Sequence, residues 1–174
     1  MSYSAESQIA ALVREFNSLP FRPLVPSGYG PNKWIFGLHF VPLPPPGMLL
    51  SFVNPFSRYV HCEGPLPVDN RPLTVQTLQE RGQQIAILLL KAFVSGLGVP
   101  DSPPQLRFAP WEWAVEDPSL SAAVSNALIR LGVRSELCVV GVADLEERRI
   151  AIETHQELLK TMVQSARAVA VAGY

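Results

Sequence analysis

Residues 33–54 read KWIFGLHFVPLPPPGMLLSFVN, and the organisation of this stretch decides the fold. Two apolar runs, KWIFGLHFV (33–41) and MLLSFVN (48–54), flank the turn-forming sequence PLPPPG. Proline has no backbone N–H to donate, and it breaks helices, whereas β-branched and aromatic residues favour strands. The stretch therefore predicts two antiparallel strands joined by a hairpin with a long loop.

The region around this hairpin, residues 20–72, contains twelve of the 17 prolines. Proline richness is typical of disordered chains, but disordered segments lack the many large apolar residues found here. SRYVHCE (57–63) is a third strand candidate. We therefore predict an ordered strand meander over 20–72. It follows an N-terminal helix within 1–19 and precedes an α-β-α-β-α part over 73–174, all in a single domain, 1–174.

Four helices are predicted from apolar periodicity and capping residues, over residues 4–19, 74–96, 118–131 and 145–168. Ser4 is a candidate N-cap of the first helix. Asp117, followed by proline, marks the start of the third helix, and Gly132 marks its end. Asp144 and Glu147 have the spacing of a capping box at the start of the last helix.

Two further strands, at 105–109 and 137–142, flank the third helix. A strand, a helix of about four turns and a second strand form a βαβ unit, in which the two strands run parallel. The predicted fold class is thus α+β (mixed α/β). An antiparallel proline-rich meander is joined to a C-terminal βαβ unit, and the helices pack on a mixed sheet.

Composition excludes several classes of partner. The chain is 48% hydrophobic and 17% charged, with a net charge of −1 and no cluster of lysine and arginine, so we expect no nucleic-acid partner. Low charge also predicts either a large core or apolar surface covered by a partner or ligand. We expect a two-fold homodimer formed through the exposed strand edges of the meander. No signal-peptide pattern is present, and the apolar run IAILLLKAFV (85–94) is too short to span a bilayer, which predicts a soluble, cytoplasmic protein without membrane association.

The sequence HCE at 61–63 is the nearest approach to a catalytic cluster. His61 and Glu63 would share one face of a strand, as an acid–base pair or as two metal ligands. The alternative is a structural histidine–carboxylate pair at the end of a surface strand. A metal needs further ligands, and His39 is the only suitable candidate, so we expect no metal and no cofactor. Cys62 and Cys138 are too few for a cysteine-rich zinc site, and whether they pair with each other is left open.

The sequence APWEWAVEDP at 109–118 contains two of the three tryptophans. Period-2 alternation would place Trp111 and Trp113 on one face of an extended segment and Glu112 on the other. Both indoles could cover the sheet, or they could line, with Trp34 and Glu112, a ligand groove beside the next helix. We expect Trp111 to pack inward and Trp113 to be partly exposed at the mouth of the groove. His155, on the apolar face of the last helix, is interpreted as a satisfied core histidine.

The longer stretch APWEWAVEDPSLSAAVSNALIRLGVRSELCVVGVADLEE (109–147) resembles a domain of unknown function from fungal proteins. In that domain an APW segment precedes a D-x-x-L-x-x-A helix, followed by LGV, EL and VGVA. Some of its relatives carry a MYND-type zinc finger beside it, which the two cysteines of this chain cannot supply. The resemblance provides no catalytic residues to transfer.

Two functional hypotheses follow. The first is a non-catalytic binding or protein-interaction module that self-associates and has an aromatic apolar groove. The alternative is a small metal-free enzyme in which His61 and Glu63 act as acid and base on a neutral apolar or aromatic small molecule.

Overall fold

The computed structural model describes residues 4–26, 30–42, 44–98 and 107–173, and these residues form four helices and five strands. In chain order the elements are α1 (Ala5–Asn17), β1 (Lys33–Val41), β2 (Gly47–Val53), β3 (Val60–Leu66), α2 (Val75–Val94), β4 (Glu112–Val115), α3 (Ser121–Leu131), β5 (Gly141–Val142) and α4 (Leu145–Ala172). The strands form one mixed sheet in the order β3-β2-β1-β4-β5. The predicted α+β class is therefore confirmed.

The three strands of the meander pair as the sequence predicts. β1 and β2 are antiparallel, from Ile35 opposite Val53 to Val41 opposite Gly47, and β3 is antiparallel to β2. The third strand begins later than predicted, because residues 55–57 form a turn. The Asn54 side chain stabilises that turn by accepting hydrogen bonds from the N–H groups of Phe56 and Ser57.

The C-terminal part contains the predicted βαβ unit, with β4 parallel to β5 and α3 between them. β4 also pairs in parallel with β1, so that Trp34 lies opposite Trp113. This second pairing joins the meander to the βαβ unit, and it was not anticipated from the sequence.

The predicted limits of both C-terminal strands are wrong. Residues 105 and 106 lie outside the described residues, and residues 107–109 form no sheet strand, since β4 begins only at Glu112. Pro110 has no N–H to donate, and the first two N–H groups after it, those of Trp111 and Glu112, both donate to the Asn32 carbonyl. Pairing with β1 therefore starts beyond the proline.

The last strand is shorter than the predicted 137–142, because residues 135–137 form a 3₁₀ turn and only Gly141 and Val142 pair with β4. The hydroxyls of Ser121 and Ser125 in α3 donate to the carbonyls of Val140 and Cys138. The serine side chains of α3 therefore donate to two backbone carbonyls that a longer strand would use to pair with a neighbouring strand.

The capping residues act as predicted. Ser4 accepts a hydrogen bond from the Ser7 N–H at the start of α1, and Asp144 and Glu147 form both bonds of a capping box on α4. Asp117 accepts from the Ser119 N–H, but a 3₁₀ turn over 118–120 precedes the regular turns of α3. No described helix, including the 28-residue α4, has the combination of length and apolar composition needed to cross a membrane.

Helices cover both faces of the sheet, and strand alternation assigns each side chain to one of them. The helices α1, α2 and α3 pack on what we call the aromatic face, where the large buried rings belong to Phe16, Trp34, Phe36, Phe52, Phe93 and Trp113. α4 packs on the opposite face, which we call the α4 face. Its apolar residues form a small cluster of Ile35, Val53, Ala114, Ala143 and Ala151.

Candidate functional site

His61 and Glu63, the predicted catalytic pair, are in contact. His61 Nε2 lies 2.8 Å from Glu63 Oε1, and the two side chains are 16% and 24% exposed. Both residues lie on β3, and the His61 ring packs beside Phe52, with a centroid distance of 5.9 Å. A Cβ added at Gly98 would lie 2.6 Å from His61 Cε1, so this glycine leaves room for the ring. The pair therefore lies at an edge strand, close to the loop that follows α2.

The four residues predicted to line a ligand groove do not lie together. Trp34 and Trp113 are buried on the aromatic face, at 3% and 2% exposed, whereas Trp111 is 44% exposed. The expected roles of the two neighbouring tryptophans are thus reversed. Trp111 precedes β4, so the alternation of side chains between the two faces of the sheet does not determine its direction. Trp113 lies within β4, opposite Trp34. Glu112 points to the other face and pairs with Lys33 at 3.1 Å.

Trp111 nevertheless has a defined surface environment. Its indole stacks on Phe21 at a centroid distance of 4.5 Å, and the Arg134 guanidinium lies 5.2 Å from the centroid of the same phenyl ring. Arg134 also donates to the Leu19 carbonyl, which fixes its position. This stack orders the segment after α1 and leaves one part of the indole in solvent.

The α4 face contains a cluster that no sequence pattern predicted, formed by His39, Glu116 and His155. His39 Nε2 lies 3.1 and 3.3 Å from the two carboxylate oxygens of Glu116. The rings of His39 and His155 stack at a centroid distance of 3.8 Å with an interplanar angle of 24°. We call these three residues the histidine cluster.

Each member reaches the cluster for a local reason. His39 is on the α4 face of β1, and Glu116 directly follows β4, where its N–H donates to the Phe36 carbonyl. A Cβ at Gly37 would overlap the Glu116 carboxylate, so the glycine gives that side chain room to cross β1. An isolated glycine inside a strand pattern indicates a close approach by another group, and Gly37 was the signal in the sequence that could have located this cluster.

His155 is buried as predicted, at 1% exposed, but it is not the satisfied core histidine expected from its position. Neither of its ring nitrogens has a hydrogen-bond partner among the residues that the structure describes. Burial, together with the positive charge that His39 can carry, lowers the pKa of His155 from 6.5 to about 4. The buried imidazole is therefore neutral at neutral pH.

Within the described ranges, no three or more histidine, cysteine, aspartate or glutamate side chains are arranged to hold a metal ion. In the histidine cluster, the two rings are stacked and His39 Nε2 already faces the Glu116 carboxylate. Two imidazoles that share a metal direct their in-plane lone pairs to one point, and two stacked rings in nearly parallel planes do not. The arrangement of the two histidines therefore does not suit a shared metal ion.

A second polar cluster fixes the start of α4. Lys33 Nζ lies 2.7 Å from Glu147 Oε2 and 3.1 Å from Glu112 Oε1, which ties the first turn of the helix to β1 and β4. Burial alone would lower the pKa of Lys33, but its hydrogen bonds to Glu147 and Glu112 outweigh that effect and raise the pKa. Lys33 is therefore a permanently charged anchor for α4.

An apolar surface patch lies at the β5 edge of the sheet. Val139, Val142 and Leu145 fall within seven residues and are 74%, 48% and 83% exposed. We call these three residues the β5 patch. β5 pairs with β4 on one side and is the last strand in the sheet order, and no described strand pairs with its other side.

Comparisons of this chain with models of protein families, with curated proteins and with solved structures found no match. The resemblance of residues 109–147 to a fungal domain therefore remains a prediction.

Proposed function

We propose that this protein is a non-catalytic interaction module that self-associates through the β5 patch. The observation that carries the proposal is the exposure of Val139, Val142 and Leu145 beside an open strand edge. Exposed large apolar side chains near one another in the chain favour an interaction surface, and an unpaired strand edge adds backbone donors and acceptors that a second chain can use. A two-fold axis through the patch would bury it against its own copy.

The opposite edge of the sheet supports self-association less well, although the meander to which it belongs was the surface expected from the sequence. β3 contains Pro65, which has no N–H to donate to an added strand, and its pairing with β2 shifts register between Met48 and Leu50. Prolines and irregular pairing are devices that protect a sheet edge from a further strand. The proposal therefore places the contact at β5.

A protein partner also fits the arrangement better than a small apolar ligand. The aromatic residues predicted to line a groove are divided between the core, which holds Trp34 and Trp113, and the surface, which holds Trp111. A surface depression lies along α1, but Ser7, Gln8, Ala10, Ala11 and Arg14 line it, and no predicted site residue contributes to it.

Sedimentation velocity over a range of protein concentrations tests the proposal. We expect a reversible dimer for the native chain and a monomer for Val139→Glu, since a carboxylate in the patch would lose hydration on association. Val169→Glu is the matched control, because Val139 and Val169 are both 74% exposed and residue 169 lies near the end of α4, away from the patch. A native chain that is monomeric at all concentrations, or equal dimerisation of the two variants, would contradict the proposal.

Leu145→Glu is a second variant with little effect on folding, because Leu145 is the first residue of α4 and a carboxylate is favourable at a helix N-terminus. We expect it to weaken dimerisation without lowering the melting temperature of the monomer. A loss of dimer accompanied by unfolding would indicate a general defect and not a surface contact.

Acid–base catalysis is the second candidate function, and the 2.8 Å contact between His61 Nε2 and Glu63 Oε1 favours it. A carboxylate that orients an imidazole leaves the second ring nitrogen to act as a base. Hydrolysis of p-nitrophenyl acetate, a neutral aromatic ester, provides the probe. If the pair is catalytic, His61→Gln should abolish the hydrolysis and His39→Gln should leave its rate unchanged. Equal rates of hydrolysis for the two variants would exclude catalysis by His61 and Glu63.

A further inference from the structure

The docking of α4 on the sheet depends on few buried groups. Ala151, Thr154 and His155 are its buried residues, and from residue 156 to residue 173 none is buried. Lys33 anchors the first turn, and the small apolar cluster around Ala151 holds the middle. His155 is therefore the last buried contact between the helix and the sheet.

Among the described residues, the charged and titratable groups on the α4 face lie in three places, apart from Arg148 of α4. The Nε of Arg148, two turns before His155, is buried without a hydrogen-bond partner and adds a positive charge to this face. Lys33, Glu112 and Glu147 form the ion pairs at the start of the helix. Cys62 of β3 lies opposite Ser51, which itself lies opposite Gly37, so its thiol is on this face. The histidine cluster lies at the other end, and β2 and β5 contribute no ionisable side chain to this face.

Inside the histidine cluster, no acceptor is free for a protonated His155. An imidazolium has two N–H donors, and within the described part of the chain both ring nitrogens of His155 lack a hydrogen-bond partner. The carboxylate of Glu116 already has His39 Nε2 near both of its oxygens, and a stacked His39 ring that carries a proton would repel a second positive charge. A proton on His155 would therefore be buried without compensation while α4 stays docked.

We propose that acid loosens α4 from the sheet, with protonation of His155 as the trigger. Released into water, the imidazole regains hydrogen-bonding partners for both nitrogens, so the undocked helix accepts the proton more readily than the docked one. This inference is independent of the proposed self-association.

The direction and range of the effect follow from linkage. The pKa of His155 is about 4 in the docked state, against an ordinary value of 6.5, so the undocked state binds more protons between these two values. Docking is unaffected above about pH 6.5, weakens by up to about tenfold per pH unit below it, and weakens no further below about pH 4. Between pH 7 and pH 5 we expect the equilibrium constant for release to rise about twentyfold.

Amide hydrogen exchange of the full chain, followed by NMR at pH 7, 6 and 5, measures this constant. We expect the protection factors of α4 amides over residues 150–158 to fall about twentyfold from pH 7 to pH 5, with those of α2 amides over residues 85–93 unchanged. An equal fall in both helices would mean global unfolding and would overturn the proposal. No fall in α4 would overturn it as well.

Substitutions identify the trigger. His155→Phe keeps a flat ring beside His39 but cannot be protonated, so the amides of α4 should keep their protection at pH 5. If the larger ring prevents folding, His155→Leu replaces it with the same expected result. His61→Gln, the control, should respond to acid as the native chain does. A native-like acid response in a folded variant at position 155 would overturn the proposal. So would a ¹⁵N spectrum of the native chain that shows His155 protonated at pH 5 while α4 remains protected.

Discussion

The two faces of the sheet are built from different kinds of residue. The aromatic face buries large rings in a connected arrangement, in which Trp113 stacks on Phe16 at 6.1 Å and packs edge-on against Phe93 at 6.2 Å. The α4 face offers only a small apolar cluster, flanked by the Lys33 ion pairs at one end and the histidine cluster at the other.

Because of this difference, one face contributes most of the stability, and the other contributes the response of the structure to solution conditions. Burial of large apolar side chains contributes stability that depends little on pH, so the aromatic face fixes the fold. Polar and ionisable contacts respond to protonation and to partners, so the α4 face is where solution conditions can change the structure. Substitutions on each face test that division, and the largest effect is expected in the aromatic core.

The two tryptophans of the 109–118 stretch provide the sharpest test. Trp113→Ala removes a buried indole from the aromatic face and should lower the free energy of unfolding by about 3–5 kcal/mol. Trp111→Ala removes a half-exposed indole stacked on Phe21 and should cost about 1 kcal/mol. Chemical denaturation of both variants measures the difference, and losses of equal size would contradict the separation of core from surface in this stretch.

Two glycines, one on each face, provide an intermediate test. A Cβ at Gly82 of α2 would lie 2.6 Å from the backbone carbonyl oxygen of Ala123 in α3, so the helices must move apart to accept it. That overpacking costs about 1–3 kcal/mol and exceeds the gain of about 1 kcal/mol in helix propensity from glycine to alanine. Gly82→Ala should therefore lower the melting temperature.

Gly37→Ala, the matched change on the α4 face, should leave the melting temperature nearly unchanged. Its Cβ would meet the end of the Glu116 side chain, which can rotate away, and alanine restricts the unfolded chain more than glycine does. The NMR signals of the His39 ring should nevertheless shift, because the carboxylate must leave its place beside Nε2. A large loss of stability in Gly37→Ala, or an unchanged His39 spectrum, would show that Glu116 is not held as described.

The sequence predicted the parts of this fold that local chemistry determines. Asp144 and Glu147 identified a capping box, and the run around PLPPPG identified the β1–β2 hairpin, because each signal acts within a few residues. The parallel pairing of β1 with β4 depends on groups far apart in the chain, such as the Asn32 carbonyl that receives the N–H of Trp111. No local pattern encodes that contact.

The candidate site was less accessible for the same reason. His61 and Glu63 are two residues apart on one strand, so alternation alone predicted their contact. The histidine cluster combines His39, Glu116 and His155 from three elements, and only the packing of α4 on β1 brings them together. Gly37 indicated that another group lies close to the backbone of β1. That group could not be identified as Glu116 without the register of β4.

The smallest expected effect concerns the two cysteines. One thiol lies on each face of the sheet, so their reactivities compare the packing of the two faces. Cys138 belongs to the core of the aromatic face, at 5% exposed, and its thiol donates to the Val133 carbonyl. Cys62 lies on the α4 face, where burial and the negative charge of Glu63 raise its pKa to about 11. Both thiols should be free, because the structure contains no bond between them.

Iodoacetamide labelling at pH 7.5, followed by mass spectrometry, should therefore modify Cys62 slowly and Cys138 only on unfolding. A rise of two units in pKa lowers the thiolate fraction about a hundredfold, and the greater nucleophilicity of the more basic thiolate recovers roughly tenfold of it. The net expectation is alkylation of Cys62 about tenfold slower than that of a free cysteine. Its rate should still increase between pH 9 and pH 10.5, where an ordinary thiol is already mostly ionised. Labelling of Cys62 at the rate of a free thiol would mean that α4 leaves this face open at neutral pH, and that the division between the two faces is weaker than their packing indicates.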